Sequence, residues 1–96
     1  MPLLPAKALE AALRDLPGWA TDGHALGRQY TFPSFPDAIA FAMRLAFEAE
    51  KADHHPDLLI TYRKVTVTWS THSQGGVTEK DLAGARASDA CAGGAA

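Results

Sequence analysis

The segment from Ser34 to Asp53 is the feature that most limits what this chain can fold into. It predicts a helix whose apolar side chains wrap most of the circumference: Phe35, Ile39, Phe41, Met43, Leu45, Phe47 and several alanines. A helix that is apolar on nearly all sides needs two surfaces to pack against. We expect one surface to be a sheet of the same chain, and the other could be a second subunit.

Local signals mark both ends of this helix. Ser34 with Asp37 three residues later is similar to a capping box, and Pro36 falls in the first turn, where proline is well tolerated. Pro56 prevents continuation of the helix, because the residue before a proline avoids helical backbone angles.

The segments "DLLITY" and "KVTVTWSTH" follow, and their β-branched and aromatic residues predict two adjacent strands. In the second segment, side chains alternate between an apolar face (Val65, Val67, Trp69, Thr71) and a more polar face (Thr66, Thr68, Ser70, His72). His72 is therefore predicted to lie at the end of a strand, on its polar face.

The rest of the chain supplies shorter elements. An apolar stripe over residues 5–16 predicts a first helix, and Asp22-Gly23 predicts a hairpin turn. Thr78, with Asp81 three residues later, predicts a short third helix, followed by a frayed tail at about residues 89–96. The order helix, two strands, helix, two strands, helix predicts an α+β fold in which helices cover one face of an antiparallel sheet.

Length and composition narrow the class of protein. The 96 residues suffice for one domain, residues 1–96, and a net charge of −2 predicts no nucleic-acid partner. The single cysteine, Cys91, excludes an intramolecular disulfide. The sequence has no recognisable signal peptide or membrane span, so we expect a cytoplasmic protein with no membrane partner.

Three of the four histidines stand out. A lone histidine at a helix end is explained by the helix dipole, but His54 and His55 are adjacent, and His72 lies on the polar strand face. A histidine cluster in one cleft is suited to proton transfer, since the unperturbed pKa of histidine lies nearest neutrality. His24, beside the Asp22-Gly23 turn, is expected to be an exposed loop residue.

Two carboxylates have more than one interpretation. Glu50 lies one helical turn before His54, either as an exposed i, i+4 pair or as a group that orients the imidazole. The spacing of Asp81 from Thr78 favours a structural capping role. A zinc site that uses Glu50 or Asp81 is a weaker alternative, because adjacent histidines at a helix end project in different directions. No nucleophile motif or phosphate-binding loop is present, so the residues favour proton transfer by imidazole, steered by a carboxylate.

The whole pattern resembles the pterin-4a-carbinolamine dehydratase family. The resemblance rests on Glu50-x-x-x-His54-His55-Pro56 followed by Tyr62, His72 and Asp81, on Gly18-Trp19, and on "VTVTWSTHSQGGVTEKD", and it extends over residues 8–88. It implies a four-stranded antiparallel sheet with helices on one face, and assembly into homodimers or homotetramers. The implied reaction is dehydration of 4a-hydroxytetrahydropterin to quinonoid dihydropterin in the recycling of tetrahydrobiopterin for aromatic amino acid hydroxylation, without a cofactor or metal.

The resemblance also implies residue roles. His54 and His72 correspond to the acid/base histidines of the family, and His55 to the histidine that holds the pterin. The corresponding active-site carboxylates are Glu50 and Asp81, and further substrate contacts are expected from Pro56, Asp57, Leu58, Ser70 and Thr71. Family members often have a large aromatic residue soon after His-His-Pro, where this chain has Asp57-Leu58-Leu59. The alternative is a binding, dimerisation or assembly module that keeps the fold without the reaction; the presence of all three histidines favours the enzyme.

Overall fold

The computed structural model of the protein describes residues 2–95 as three α-helices, four strands and one short 3-10 turn. In chain order these are α1 (Ala6–Arg14), β1 (Ala20–Thr21), β2 (Leu26–Thr31), α2 (Phe35–Ala52), β3 (Asp57–Thr61), β4 (Lys64–Trp69), the 3-10 turn (His72–Gln74) and α3 (Glu79–Ala92). Within residues 2–95, no helix is both long enough and apolar enough to cross a membrane.

The four strands form one antiparallel sheet in the order β1-β2-β4-β3. The central strand β4 pairs with β2 on one side and with β3 on the other. Its apolar face, which carries Val65, Val67 and Trp69, is buried beneath α2 and α3. The predicted α+β fold, a four-stranded antiparallel sheet with helices on one face, is confirmed.

The hydrophobic core fills the space between this face and the helices. Its fully buried aromatic and aliphatic side chains each contribute about 1.5–3 kcal/mol to folding, and the largest are Trp69, Tyr30, Phe41, Leu26, Leu45, Val65 and Val67. Helix α2 supplies a stripe at helical spacing: Ala38, Phe41, Leu45 and Ala49. Its outer face stays apolar and exposed at Phe35, Ile39, Met43 and Phe47. Only one of the two expected packing surfaces is therefore provided by the chain itself.

The hairpin predicted at Asp22-Gly23 joins β1 to β2. The Asp22 carboxylate accepts hydrogen bonds from the backbone N–H groups of His24 and Ala25, at 2.8 and 3.1 Å. These bonds lower the pKa of the exposed Asp22 carboxyl. Gly23 takes a positive φ of 95°, which glycine adopts without steric cost.

The third helix is longer than predicted. It reaches Ala92, so the expectations of a short helix and of a tail frayed from residue 89 are wrong for residues 89–92. The reason is a tertiary anchor at Asp89, whose carboxylate accepts hydrogen bonds from Trp19 Nε1, Arg28 Nη1 and the Tyr30 hydroxyl. The small residues of α3 instead allow it to pack closely, since Gly84, Ala85, Ser88 and Ala92 are buried and Gly84 lies against Trp69 of the sheet.

The predicted strand that was to carry His72 is shorter than expected. Strand β4 ends at Trp69, and His72 begins the 3-10 turn. The backbone leaves the sheet because Thr71 pairs with Gly76 in an isolated bridge, and Gly75 closes the turn at a φ of 75°. The alternation itself continues, since Thr71 is buried and His72 is exposed.

Candidate active site

The end of α2 sets the direction of the two adjacent histidines. Asp53 adopts the left-handed conformation (φ 51°, ψ 42°), and its N–H bonds to the Glu50 carbonyl. The N–H of His54 reaches back to the Ala49 carbonyl at 3.2 Å. This pair of bonds is a Schellman motif, which satisfies the last carbonyls of a helix and turns the chain away from the helix axis. His54 therefore points into the molecule while His55 stays at the surface.

His54 forms an ion-pair-like contact with Asp81, at 2.6 Å between Nε2 and Oδ1. The His54 side chain is 14% exposed and that of Asp81 is fully buried. A buried carboxylate beside an imidazole fixes the orientation of the ring and the nitrogen that carries its hydrogen. Asp81, which its spacing from Thr78 assigned to capping, is therefore also the partner of His54, a predicted catalytic histidine.

Asp81 retains its capping function as well. Its Oδ2 accepts the backbone N–H of Thr78 at 2.8 Å and the hydroxyl of Thr71 at 2.8 Å. The Thr78 side chain caps the first turn of α3 in return, so the capping box is complete. Both interpretations of Asp81 from the sequence are therefore compatible with one carboxylate, because its two oxygens have separate partners.

Trp69 packs against a face of the His54 ring. The two rings stack with centroids 5.4 Å apart and an interplanar angle of 24°. Trp69 Nε1 donates to the buried Ser88 hydroxyl at 2.9 Å, and Ser88 donates to the Gly84 carbonyl. The sequence pattern marked Trp69 as a buried strand residue but did not reveal this contact, because the stacking depends on how the end of α2 meets β4.

Glu50 pairs with His55 and not with His54. The distance between His55 Nε2 and Glu50 Oε1 is 2.8 Å, and both side chains are more than half exposed. The i, i+4 pair expected between Glu50 and His54 does not form. Helical spacing fails here because the left-handed Asp53 rotates His54 out of the α2 register.

A cavity of about 330 Å³ collects the three histidines. Its lining consists of Asp53, His54, His55, Ser70, Thr71, His72, Ser73 and Lys80. Lys80 was not predicted from the sequence as a site residue. Its position in the first turn of α3, next to the candidate residue Asp81, is the signal that could have identified it. The cavity thus combines imidazoles, hydroxyls, one carboxylate and one ammonium group, which are groups that donate, accept and transfer protons.

A neighbouring cavity of about 390 Å³ shares His55 with the first. It is lined by Ala46, Phe47, Ala49, Glu50, His55, Pro56 and Leu58. Of the substrate-contact residues expected from the sequence, Pro56 and Leu58 therefore lie here, and Ser70 and Thr71 lie in the first cavity. Asp57 lines neither cavity, because alternation along β3 directs it to the sheet face opposite Leu58.

Two other features of the molecule carry no histidine chemistry. A wider cavity of about 490 Å³ lies between α2 and α3 and contains no histidine. Within residues 2–95, no group of three or more His, Cys, Asp or Glu side chains is arranged to hold a metal ion. The zinc alternative therefore lacks a ligand set in the described part of the chain.

Comparison with other sequences points to one family. The family model described as "Pterin 4 alpha carbinolamine dehydratase" matches residues 2–91. A protein of Mycobacteroides abscessus named "Putative pterin-4-alpha-carbinolamine dehydratase" is 51% identical over 83 residues, which are 86% of this chain and 88% of that protein. A protein of the same name from Bradyrhizobium sp. strain ORS 278 is 50% identical over 91 residues, 93% of this chain and 91% of its own length.

Comparison with solved structures points the same way. A crystal structure described as a transcriptional coactivator/pterin dehydratase from Brucella melitensis superposes with a TM-score of 0.89 at 43% identity, and it covers 94% of this chain and 98% of its own. A pterin dehydratase-like protein identified as a RuBisCO assembly factor in the alpha-carboxysome gives a TM-score of 0.65 at 25% identity, with 78% and 87% coverage. The same fold therefore occurs in proteins described by different roles.

Proposed function

Because this chain belongs to the pterin-4-alpha-carbinolamine dehydratase family, we propose that it is a hydro-lyase that converts 4a-hydroxytetrahydropterin to quinonoid dihydropterin and water. The reaction would serve the recycling of tetrahydrobiopterin for aromatic amino acid hydroxylation. The observation that carries the proposal is the His54–Asp81 pair at the wall of a cavity that His55 and His72 also line.

This dehydration requires one general acid and one general base. The acid gives a proton to the hydroxyl at C4a, which leaves as water, and the base removes the proton from N5. The bonding electrons of N5–H form the new C=N bond, so the step is balanced without any oxidant or metal. Two imidazoles, His54 and His72, supply acid and base, and such general catalysis contributes about 10²–10⁴-fold.

Substrate binding is assigned to the residues around His55. Its ring, held by Glu50 at 2.8 Å, lies between the two cavities and offers a hydrogen bond to the polar edge of a pterin. Pro56 and Leu58 add an apolar wall, and Ser70 adds a hydroxyl at the other side. The leucine replaces the aromatic residue common in the family, so this wall is a smaller platform for a flat ring.

We also propose that the protein forms homodimers or homotetramers through α2. The outer face of α2 exposes apolar side chains every fourth residue, including Met43 at 57% and Phe47 at 67%. A continuous exposed apolar stripe of this kind marks a protein–protein contact. The cytoplasmic location expected from the sequence stays a prediction.

A binding or assembly role is the alternative to catalysis. One solved relative is described as a transcriptional coactivator/pterin dehydratase, and another as a RuBisCO assembly factor. A protein retained only for binding has no need for three histidines around one cavity, or for an imidazole aligned on the carboxylate that caps α3. These features favour the enzyme.

The test is a stopped-flow absorbance measurement of 4a-hydroxytetrahydropterin decay, with the substrate generated by an aromatic amino acid hydroxylase. We expect the wild-type protein to accelerate dehydration, and His54→Gln and His72→Ala to lose 10²-fold or more of that acceleration, as removal of a general acid or base does. His55→Ala should mainly raise KM.

The matched control is His24→Ala, because the His24 side chain is exposed and does not line the cavity, and the substitution keeps the backbone carbonyl that accepts the Ser70 hydroxyl. It should keep the wild-type rate. If the wild-type protein leaves the spontaneous rate unchanged at any enzyme concentration, the catalytic proposal fails and the binding alternative takes its place.

A further inference from the structure

The hydrogen bonds behind His54 form a chain in which every donor can be assigned. The Thr71 hydroxyl has one hydrogen, and it donates this hydrogen to Asp81 Oδ2 at 2.8 Å. The 2.9 Å contact between the hydroxyls of Thr71 and Thr78 must therefore use the hydrogen of Thr78. The oxygen of Thr78 in turn accepts the backbone N–H of Lys80. The chain thus runs in one direction, from the first turn of α3 to Asp81.

Asp81 is consequently an acceptor at both oxygens. Oδ2 already accepts the Thr78 N–H and the Thr71 hydroxyl, and Oδ1 faces His54 Nε2 at 2.6 Å. A carboxylate has no hydrogen to give, so the hydrogen in the contact at Oδ1 comes from His54 Nε2. Thr78 and Asp81 are fully buried and Thr71 is 6% exposed, so water does not compete for these bonds.

We infer that Thr71 and Thr78 are positioning residues, which act through Asp81 to hold neutral His54 in the form protonated at Nε2. The remaining ring nitrogen, Nδ1, is then the atom of His54 that exchanges a proton with the substrate. The assignment of this atom to catalysis rests on the proposed dehydratase function, whereas the protonated form of the ring follows from the hydrogen bonds alone.

The same donors predict what an asparagine at position 81 would do. The Thr78 N–H and the Thr71 hydroxyl both require an acceptor at the Oδ2 position, so the side-chain oxygen of Asp81→Asn must occupy it. Its NH₂ group then faces His54 Nε2 and donates to it. The variant should therefore keep the cap of α3 while it forces the proton of neutral His54 onto Nδ1.

Nitrogen NMR of histidine-labelled protein reads the protonated nitrogen directly, at about pH 8.5, where ordinary imidazoles are neutral. The His54 signals are identified by their loss in His54→Gln. We expect protonated Nε2 in the wild-type protein and protonated Nδ1 in Asp81→Asn. Protonated Nδ1 in the wild type overturns the inference, and so does an unchanged Nε2–H form in Asp81→Asn.

The kinetic test separates positioning from structure. Asp81→Asn should lower kcat by about 10³-fold with KM within about twofold, because the wrong protonated form blocks proton exchange and not binding. Thr71→Val should lower kcat by roughly tenfold, and Thr71→Ser, which restores the donor, should recover it. Failure of the serine to recover kcat, with wild-type thermal unfolding in both variants, contradicts the assigned role of the hydroxyl.

The two proposals can fail separately. A wild-type protein without dehydratase activity but with His54 protonated at Nε2 rejects the function and keeps the hydrogen-bond assignment. An active protein with His54 protonated at Nδ1 keeps the function and rejects the inference.

Discussion

His54 and Asp81 are 27 positions apart in the chain, and their side chains meet at 2.6 Å between Nε2 and Oδ1. The contact joins the turn that ends α2 to the first turn of α3, near the C-terminal end of the inner strand β4. One buried carboxylate therefore caps a helix and holds an imidazole at the same time. The stability of α3 and the geometry of the site are coupled through this residue.

Gly84 is predicted to tolerate no side chain. A Cβ at this position would lie 2.5 Å from the Trp69 ring, and Trp69 is buried between α3 and the His54 ring. Gly84→Ala should lower the free energy of unfolding by about 1–3 kcal/mol, the usual cost of overpacking a core. Activity should fall as well, because a displaced indole moves the His54 ring.

Urea unfolding measures the loss of stability in Gly84→Ala, and the dehydration assay measures its loss of activity. Gly94→Ala is the control, because a Cβ there has no heavy atom within 4 Å. Equal stability of the two variants would show that α3 can move away from the sheet without cost.

Leu58 is predicted to limit the affinity for the pterin. Leu58→Phe places a flat ring in the cavity that also contains His55 and Pro56. An aromatic contact contributes about 0.5–1.5 kcal/mol beyond its buried area, so KM should fall by roughly two- to tenfold with kcat unchanged. Steady-state dehydration kinetics give both constants.

The neighbouring residue provides the control for this prediction. Leu59 is exposed and lies on the opposite face of β3, because successive strand residues alternate. Leu59→Phe should leave KM at the wild-type value. An equal decrease of KM in both variants would indicate that the pterin binds at the sheet edge and not in the cavity.

The stability of the fold is predicted to decrease at alkaline pH through Tyr30. Burial, followed by its hydrogen bond to Asp89, raises the pKa of the Tyr30 hydroxyl above its ordinary value of about 10. The unfolded chain then loses this proton near pH 10 while the folded chain keeps it. Stability is therefore fully present below about pH 10 and falls above it, by up to about 1.4 kcal/mol per pH unit.

Urea unfolding at about pH 9 and about pH 11 tests this dependence. Tyr30→Phe should be less stable than the wild type at the lower pH, yet lose less stability between the two. Tyr62→Phe, at an exposed tyrosine, should follow the wild-type profile. If Tyr30→Phe loses as much stability between the two pH values as the wild type does, groups other than Tyr30 cause the alkaline loss of stability.

The exposed face of α2 is predicted to hold the subunits together. Met43→Glu introduces a charge in the middle of the apolar stripe, where its burial at an interface is costly. We expect the variant to elute as a smaller species with a lower mass by light scattering. Gln29→Glu adds the same charge at an exposed position of β2 and should leave the mass unchanged. A wild-type protein that is already a monomer would contradict the proposed assembly.

Much of the fold was predictable because its signals act over a few residues. Ser34 accepts the N–H of Asp37, Pro56 follows the end of α2, and Asp22-Gly23 forms the hairpin turn, each as the local pattern indicates. The alternation along β4 also predicted which side chains enter the core. The end of α3 was not predictable, since residues 89–92 are helical through the contacts of Asp89 with β2 and with Trp19.

The sequence by itself determined the order of the elements and the candidate histidines and carboxylates, because caps, prolines and hydrophobic periods exert their effects within one or two turns. Only the tertiary structure decided which carboxylate pairs with which histidine. Glu50 pairs with His55, and Asp81 pairs with His54. The left-handed Asp53 breaks the helical register on which the spacing argument relied. Asp81 reaches His54 because packing of α2 and α3 against one sheet face brings distant side chains together, an outcome that no local pattern records.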